Sequence, residues 1–144
     1  MKTHVKKSLV LILALLMMLG CFNMGAYAAD SNSARASNYF LSYDAQLSAA
    51  GNGKLRISGT VDALSIMSSI GIAYFRVYLA DGTFVTTVPG STTNGLLVSN
   101  SDTYSGSFTY QAVSGNRYYV VVTFICRNAS GYEYKNYRTN TVTA

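Results

Sequence analysis

The sequence predicts a single all-β domain, an antiparallel β-sandwich of about seven strands in two sheets. Three observations carry that expectation. From Asn38 onward apolar and polar residues alternate, the pattern of strands with one buried face, and no long segment repeats with a helical period. Tyr, Val, Thr, Ser and Gly dominate this region, and Pro89 is its only proline. Turn residues recur at intervals: Gly51-Asn52-Gly53, Asp81-Gly82, Pro89-Gly90 and Asn128 to Gly131.

Taken in order, Tyr39, Leu41, Tyr43, Ala45, Leu47 and Ala49 share one face of a first strand. After the Gly51–Gly53 turn, Leu55, Ile57, Gly59, Val61 and Ala63 mark the inner face of a second, so the two form a hairpin. "LSIMSSIG" breaks the alternation and reads as a crossover loop or a short helical turn. A third strand covers 70–79. Asp81-Gly82, a tight-hairpin signal, returns the chain as 83–88, and Pro89-Gly90 stops it. "STTNGLLVSNSD" reads as a long loop holding a short strand. "TYSGSFTY" then places Tyr104, Gly106, Phe108 and Tyr110 on one face. "RYYVVVTFICR" is apolar on both faces and therefore central, whereas the polar "YEYKNYRTNTVT" suits an edge strand.

In "GNRYYVVVTF" Tyr118 follows Gly115 by three residues and shares a face with Val120, Val122 and Phe124. This resembles the sixth strand of immunoglobulin and fibronectin type III sandwiches, whose tyrosine corner binds backbone near the strand's start. The resemblance implies an immunoglobulin/fibronectin type III-like sandwich and a structural role for Tyr118. Segments such as "SARASNYFLSY", "GNGKL", "SGSFTYQAVSGNRYYVVVTF" and "YRTNTVTA" also make the chain similar to a group of small exported proteins of Gram-positive, clostridia-like bacteria. That likeness covers roughly residues 33–144. The group carries a domain of unknown function with no assigned catalytic residues, so it implies export and the sandwich, and no activity.

Before this domain, Lys2, Lys6 and Lys7 precede an apolar run, Ser8 to Leu19, shorter than the ~20 residues a membrane-spanning helix needs. A basic start, a short apolar run and small residues after it predict a signal peptide over residues 1–28. Ala26-Tyr27-Ala28 is an A-x-A site, with cleavage between Ala28 and Ala29. Met18-Leu19-Gly20-Cys21 resembles a bacterial lipobox, departing from it at Met18 and Leu19, which makes lipidation of Cys21 the alternative. Residues 29–37 read as a flexible spacer, and 38–144 as the sandwich domain. Cleavage after Ala28 would leave 116 of 144 residues, with net charge reduced from +5 to +2 and no transmembrane span. The expected location is extracellular, or the outer face of the cytoplasmic membrane if Cys21 is acylated.

The same cut removes His4, the only histidine, and leaves Cys126 as the only cysteine. Ser-His-Asp and Cys-His mechanisms and the usual zinc sites are thereby excluded from the mature chain. Cys126, in line with Val120, Val122 and Phe124, reads as a small buried hydrophobe. Asp30, Asp44, Asp62, Asp81, Asp102 and Glu133 are scattered singly, whereas a glycosidase needs two carboxylates across one cleft. The oxygens of Ser99 to Asp102 read as a turn before they read as a calcium site, and no phosphate-binding glycine loop occurs. Lys54, Arg56, Arg117, Arg127, Lys135 and Arg138 are dispersed over solvated strand faces, an arrangement that does not favour nucleic acid. No enzyme, cofactor or metal is expected.

What remains is tyrosine, eleven of the 12 lying beyond the leader. Tyr132, Tyr134 and Tyr137 crowd the last long strand, and Tyr119 lies on the outward face of its neighbour. Such rings, with Asn136 and Arg138 nearby, stack on sugars or clasp a protein, and they also stabilise sheets by cross-strand packing alone. The expected function is a non-catalytic secreted or surface module that binds an extracellular or cell-wall ligand, a wall polysaccharide or a surface protein. The alternative is a structural protein that self-associates through edge strands.

Overall fold

A computed structural model describes residues 37–144. The expectations for the signal peptide, for the Ala28–Ala29 cut, for Cys21 and for all of the spacer but Ser37 lie outside the described residues. Among the described residues every regular element is a strand. There are nine: β1 (Phe40–Gly51), β2 (Lys54–Met67), β3 (Ser69–Leu79), β4 (Phe84–Pro89), β5 (Leu97–Val98), β6 (Ser101–Gln111), β7 (Arg117–Asn128), β8 (Gly131–Arg138) and β9 (Val142–Thr143). The two beyond the expected number, β5 and β9, are two residues long, too short to show a period.

The strands form two antiparallel sheets, a smaller one ordered β1-β2-β6 and a larger one ordered β4-β3-β7-β8, with β5 on β3 and β9 on β7. Central position explains why β7 is apolar on both faces, and β8 lies at an edge. Between β1 and β2 the turn is Asn52-Gly53 with φ of 53° and 71°, the positive pair that a tight two-residue hairpin requires. At the β3–β4 turn the Asp81 carboxylate accepts the Thr83 N–H at 2.8 Å.

The core lies between the sheets. Leu55, Ile57 and Val61 of β2 face Ile70, Ile72, Phe75 and Val77 of β3 and Val120, Val122, Phe124 and Cys126 of β7, all fully buried. Burial pushes the Cys126 thiol up to about 12, with a smaller push from Glu133, so it stays a neutral packing group. Opposite Phe124 the chain has Gly59, where an added Cβ would stand 2.9 Å from Ile72 Cδ1 and 3.0 Å from Phe124 Cε1. The Tyr118 hydroxyl accepts the Val113 N–H at 3.1 Å, five residues upstream, and so fastens the β6–β7 loop to the start of β7.

Two local expectations fail. Leu41 does not share the inner face of β1: a bulge between Phe40 and Ser42 reverses the alternation, burying Phe40 and leaving Leu41 exposed. Ala49, near the free end of the hairpin, is exposed as well. "LSIMSSIG" is neither loop nor helix. β2 runs through it to Met67, its pairing with β6 irregular between Asp62 and Met67, and only Ser68 separates it from β3 in the other sheet. The Ser68 hydroxyl donates to the Arg127 carbonyl at 3.0 Å, pinning the corner.

Candidate functional site

The outer faces of the two sheets differ in chemistry. That of the small sheet is hydroxylic, with Ser42, Thr60, Ser105, Ser107 and Thr109 exposed in alternate positions. That of the large sheet carries rings and arginines: Tyr74, Arg76 and Tyr78 on β3, Tyr119 and Arg127 on β7, Tyr132, Tyr134 and Arg138 on β8. No strand carboxylate lies on this face. Asp44, Asp62 and Asp102 belong to the small sheet, and Glu133 points inward from β8.

At one end of this face Tyr78 and Tyr119 stand directly opposite each other with rings stacked at 5.1 Å and 7°. From β4, Phe84 meets Tyr78 edge-on at 5.7 Å, and from β8 the Arg138 guanidinium covers the Tyr119 ring at 4.0 Å. Tyr119 is thus covered from both neighbouring strands. It is a rung in a cross-strand ladder and presents its rim, so it does not serve as the open stacking platform expected from sequence.

The other end is open. Tyr132 and Tyr134 are exposed, 61% and 46%, and meet edge to face at 5.4 Å. Arg127, opposite Tyr132 across the strands, holds its guanidinium 5.5 Å from the Tyr132 ring. Between the two ends Thr123 donates to Asn136 Oδ1 at 2.8 Å. Tyr137 does not join the other two. Three residues from Tyr134, it has the opposite parity, is half-buried against the core, and turns its hydroxyl to the Asp44 carboxylate. That hydrogen bond, with burial, raises its pKa. Of the arginines on this face, the sequence placed only Arg138 beside the candidate tyrosines. Each pairs with a tyrosine two positions away or on the adjacent strand, a relation visible only once register is known.

On the inner side of β8, the Glu133 carboxylate receives the Ser37 hydroxyl at 2.7 Å and lies 2.7 Å from the Lys135 ammonium. Ser37 Oγ also accepts the Phe40 N–H at 2.7 Å, so the start of the domain is tied to β8. Burial alone would raise the Glu133 pKa, but Lys135, Ser37 and the Tyr39 backbone outweigh it and hold the carboxyl below its ordinary value. A depressed folded pKa contributes stability above the unfolded value, lost as pH falls through the folded one. In an NMR titration the Phe40 amide should therefore shift at a pH below the ordinary glutamate range, and Glu133→Gln should remove that step.

No family model, curated protein or solved structure matches the chain.

Proposed function

We propose that the chain is an exported, non-catalytic surface module of immunoglobulin/fibronectin type III-like fold that binds a cell-wall polysaccharide through the outer face of its larger sheet. Support for the fold type is the pairing of a three-stranded with a four-stranded main sheet, and the Tyr118 hydroxyl bound to backbone before its own strand. The basic and apolar leader with its A-x-A site supports export, and Cys21 is the alternative point of attachment to a membrane. Export and the segments quoted above support a likeness to the small exported Gram-positive group.

The binding reading is carried by the exposed Tyr132–Tyr134 pair flanked by Arg127. Aromatic faces pack against the C–H faces of sugars, and a guanidinium alongside donates to their oxygens. Self-association through β8 is disfavoured, because Glu133 and Lys135 point inward from this edge strand, an arrangement that opposes pairing with another chain. Retention of the intact protein on purified wall polysaccharide tests the reading. Tyr132→Ala with Tyr134→Ala should weaken retention by about tenfold, since two aromatic contacts of roughly 0.7 kcal/mol each amount to 1.4 kcal/mol. Unchanged retention would discard the site.

A further inference from the structure

Arg76 on β3 lies opposite Val121 of β7, and Val121 lies opposite Arg138 of β8. The two arginines therefore flank one small apolar residue across three adjacent strands, their backbones roughly 10 Å apart at the usual strand spacing. Each is propped by tyrosine. Arg76 Nη2 donates to the Tyr74 hydroxyl at 3.1 Å with its guanidinium 5.2 Å from that ring, and Arg138 lies 4.0 Å over Tyr119. Among the described residues neither has a carboxylate partner, and the one ion pair there is Lys135–Glu133. Two like charges on one sheet face with no carboxylate between them favour an anion there, which can take hydrogen bonds from planar guanidinium forks.

We infer that Arg76 and Arg138 form an anion site over Val121 that takes the acidic groups, carboxylate or phosphate ester, of an anionic polysaccharide. The inference rests on the reading of this face as polysaccharide-binding and names the class of polysaccharide. Val121 lies six residues along β7 from Arg127, about 20 Å. One extended polymer can therefore cross the anion site and the Tyr132–Tyr134 pair together. The apolar floor and the Tyr119 rim suit the body of a sugar, and the arginines its charged substituent.

The test is binding of the intact protein to three immobilised polymers: polygalacturonate, which carries carboxylates, polyglycerol phosphate, which carries phosphates, and a neutral galactan. At least one acidic polymer should bind about tenfold more tightly than the galactan, the one preferred identifying the anion, and the preference should fall as salt is raised. R76Q/R138Q should reduce acidic binding to the galactan level. R76K/R138K, which keeps charge and loses the planar fork, should retain part of the preference. Equal affinity for acidic and neutral polymers, or an acidic preference that survives R76Q/R138Q, overturns the anion site and leaves the tyrosine reading standing. Failure to bind any of the three, or the wall polysaccharide itself, overturns both.

Discussion

Replacing Phe124 with alanine is expected to cost about 3–5 kcal/mol, the range for deleting a buried phenyl ring. Phe124 is fully buried at the centre of β7, where it fills the space that Gly59 leaves opposite and meets the Tyr43 ring at 5.8 Å. The surrounding residues are held in two hydrogen-bonded sheets and cannot collapse onto the void, which places the loss toward the top of that range. Domains of this size are stable by about 5–15 kcal/mol, so the variant should show a large fall in urea midpoint with an unchanged slope. Phe84→Ala, at an exposed ring of the outer ladder, should cost less than about 1.5 kcal/mol. Comparable losses at the two positions would contradict the placement of the core.

Gly90→Ala should cost about 3 kcal/mol, the upper end for overpacking. Gly90 ends β4 by donating its N–H to the Ala73 carbonyl at 2.8 Å, beside the bulge of β3 between Ile72 and Tyr74. A Cβ there would collide with the Ile72 carbonyl oxygen. This atom belongs to backbone that cannot turn aside, because the Ile72 N–H is held by the Leu96 carbonyl at 2.7 Å and Ile72 is paired with Phe124. The end of β4 must peel away instead, and amide exchange at Val88 and Gly90 should accelerate together with the loss of stability. Gly95→Ala makes the contrast: its Cβ meets nothing within 4 Å, but its φ of +75° is one that alanine adopts only at about 1–2 kcal/mol. Equal effects at Gly90 and Gly95 would mean that the collision is relieved.

The long strands and their turns were legible because each depends on residues near in sequence. Leu55, Ile57, Gly59, Val61 and Ala63 announce a buried face by spacing alone, and Asn52-Gly53 announces its own turn. Leu41 was misread because a bulge is one extra residue that leaves no mark on the hydrophobic pattern. The sheet corner at Met67 was hidden for a related reason, since its direction is set by what lies across from it. The candidate site divides along the same line. Tyr132 and Tyr134 share a face by parity, and the same parity, applied to Tyr137, already separates it from them. The coverage of Tyr119 by Tyr78 and Arg138 required the register of three strands, two of them distant in sequence. Arg76 carries no local signal: it is one charge on one strand until β7 and β8 bring Arg138 to the far side of Val121.

The sheet order also sets the tempo at which the molecule can assemble. Only β1–β2, β3–β4 and β7–β8 join neighbours in the chain, whereas Val61 waits for Tyr104 and Ile70 waits for Cys126. Closing those spans costs chain entropy before any core forms, and sandwiches of such high contact order fold in milliseconds to seconds. Until β7 is in place the apolar sides of β2 and β3 lack the strand that contributes Val120, Val122 and Phe124 to their cover. A chain interrupted before Arg117 therefore leaves Leu55, Ile57, Ile72 and Phe75 incompletely covered, the surface on which a chaperone or another unfinished copy would act.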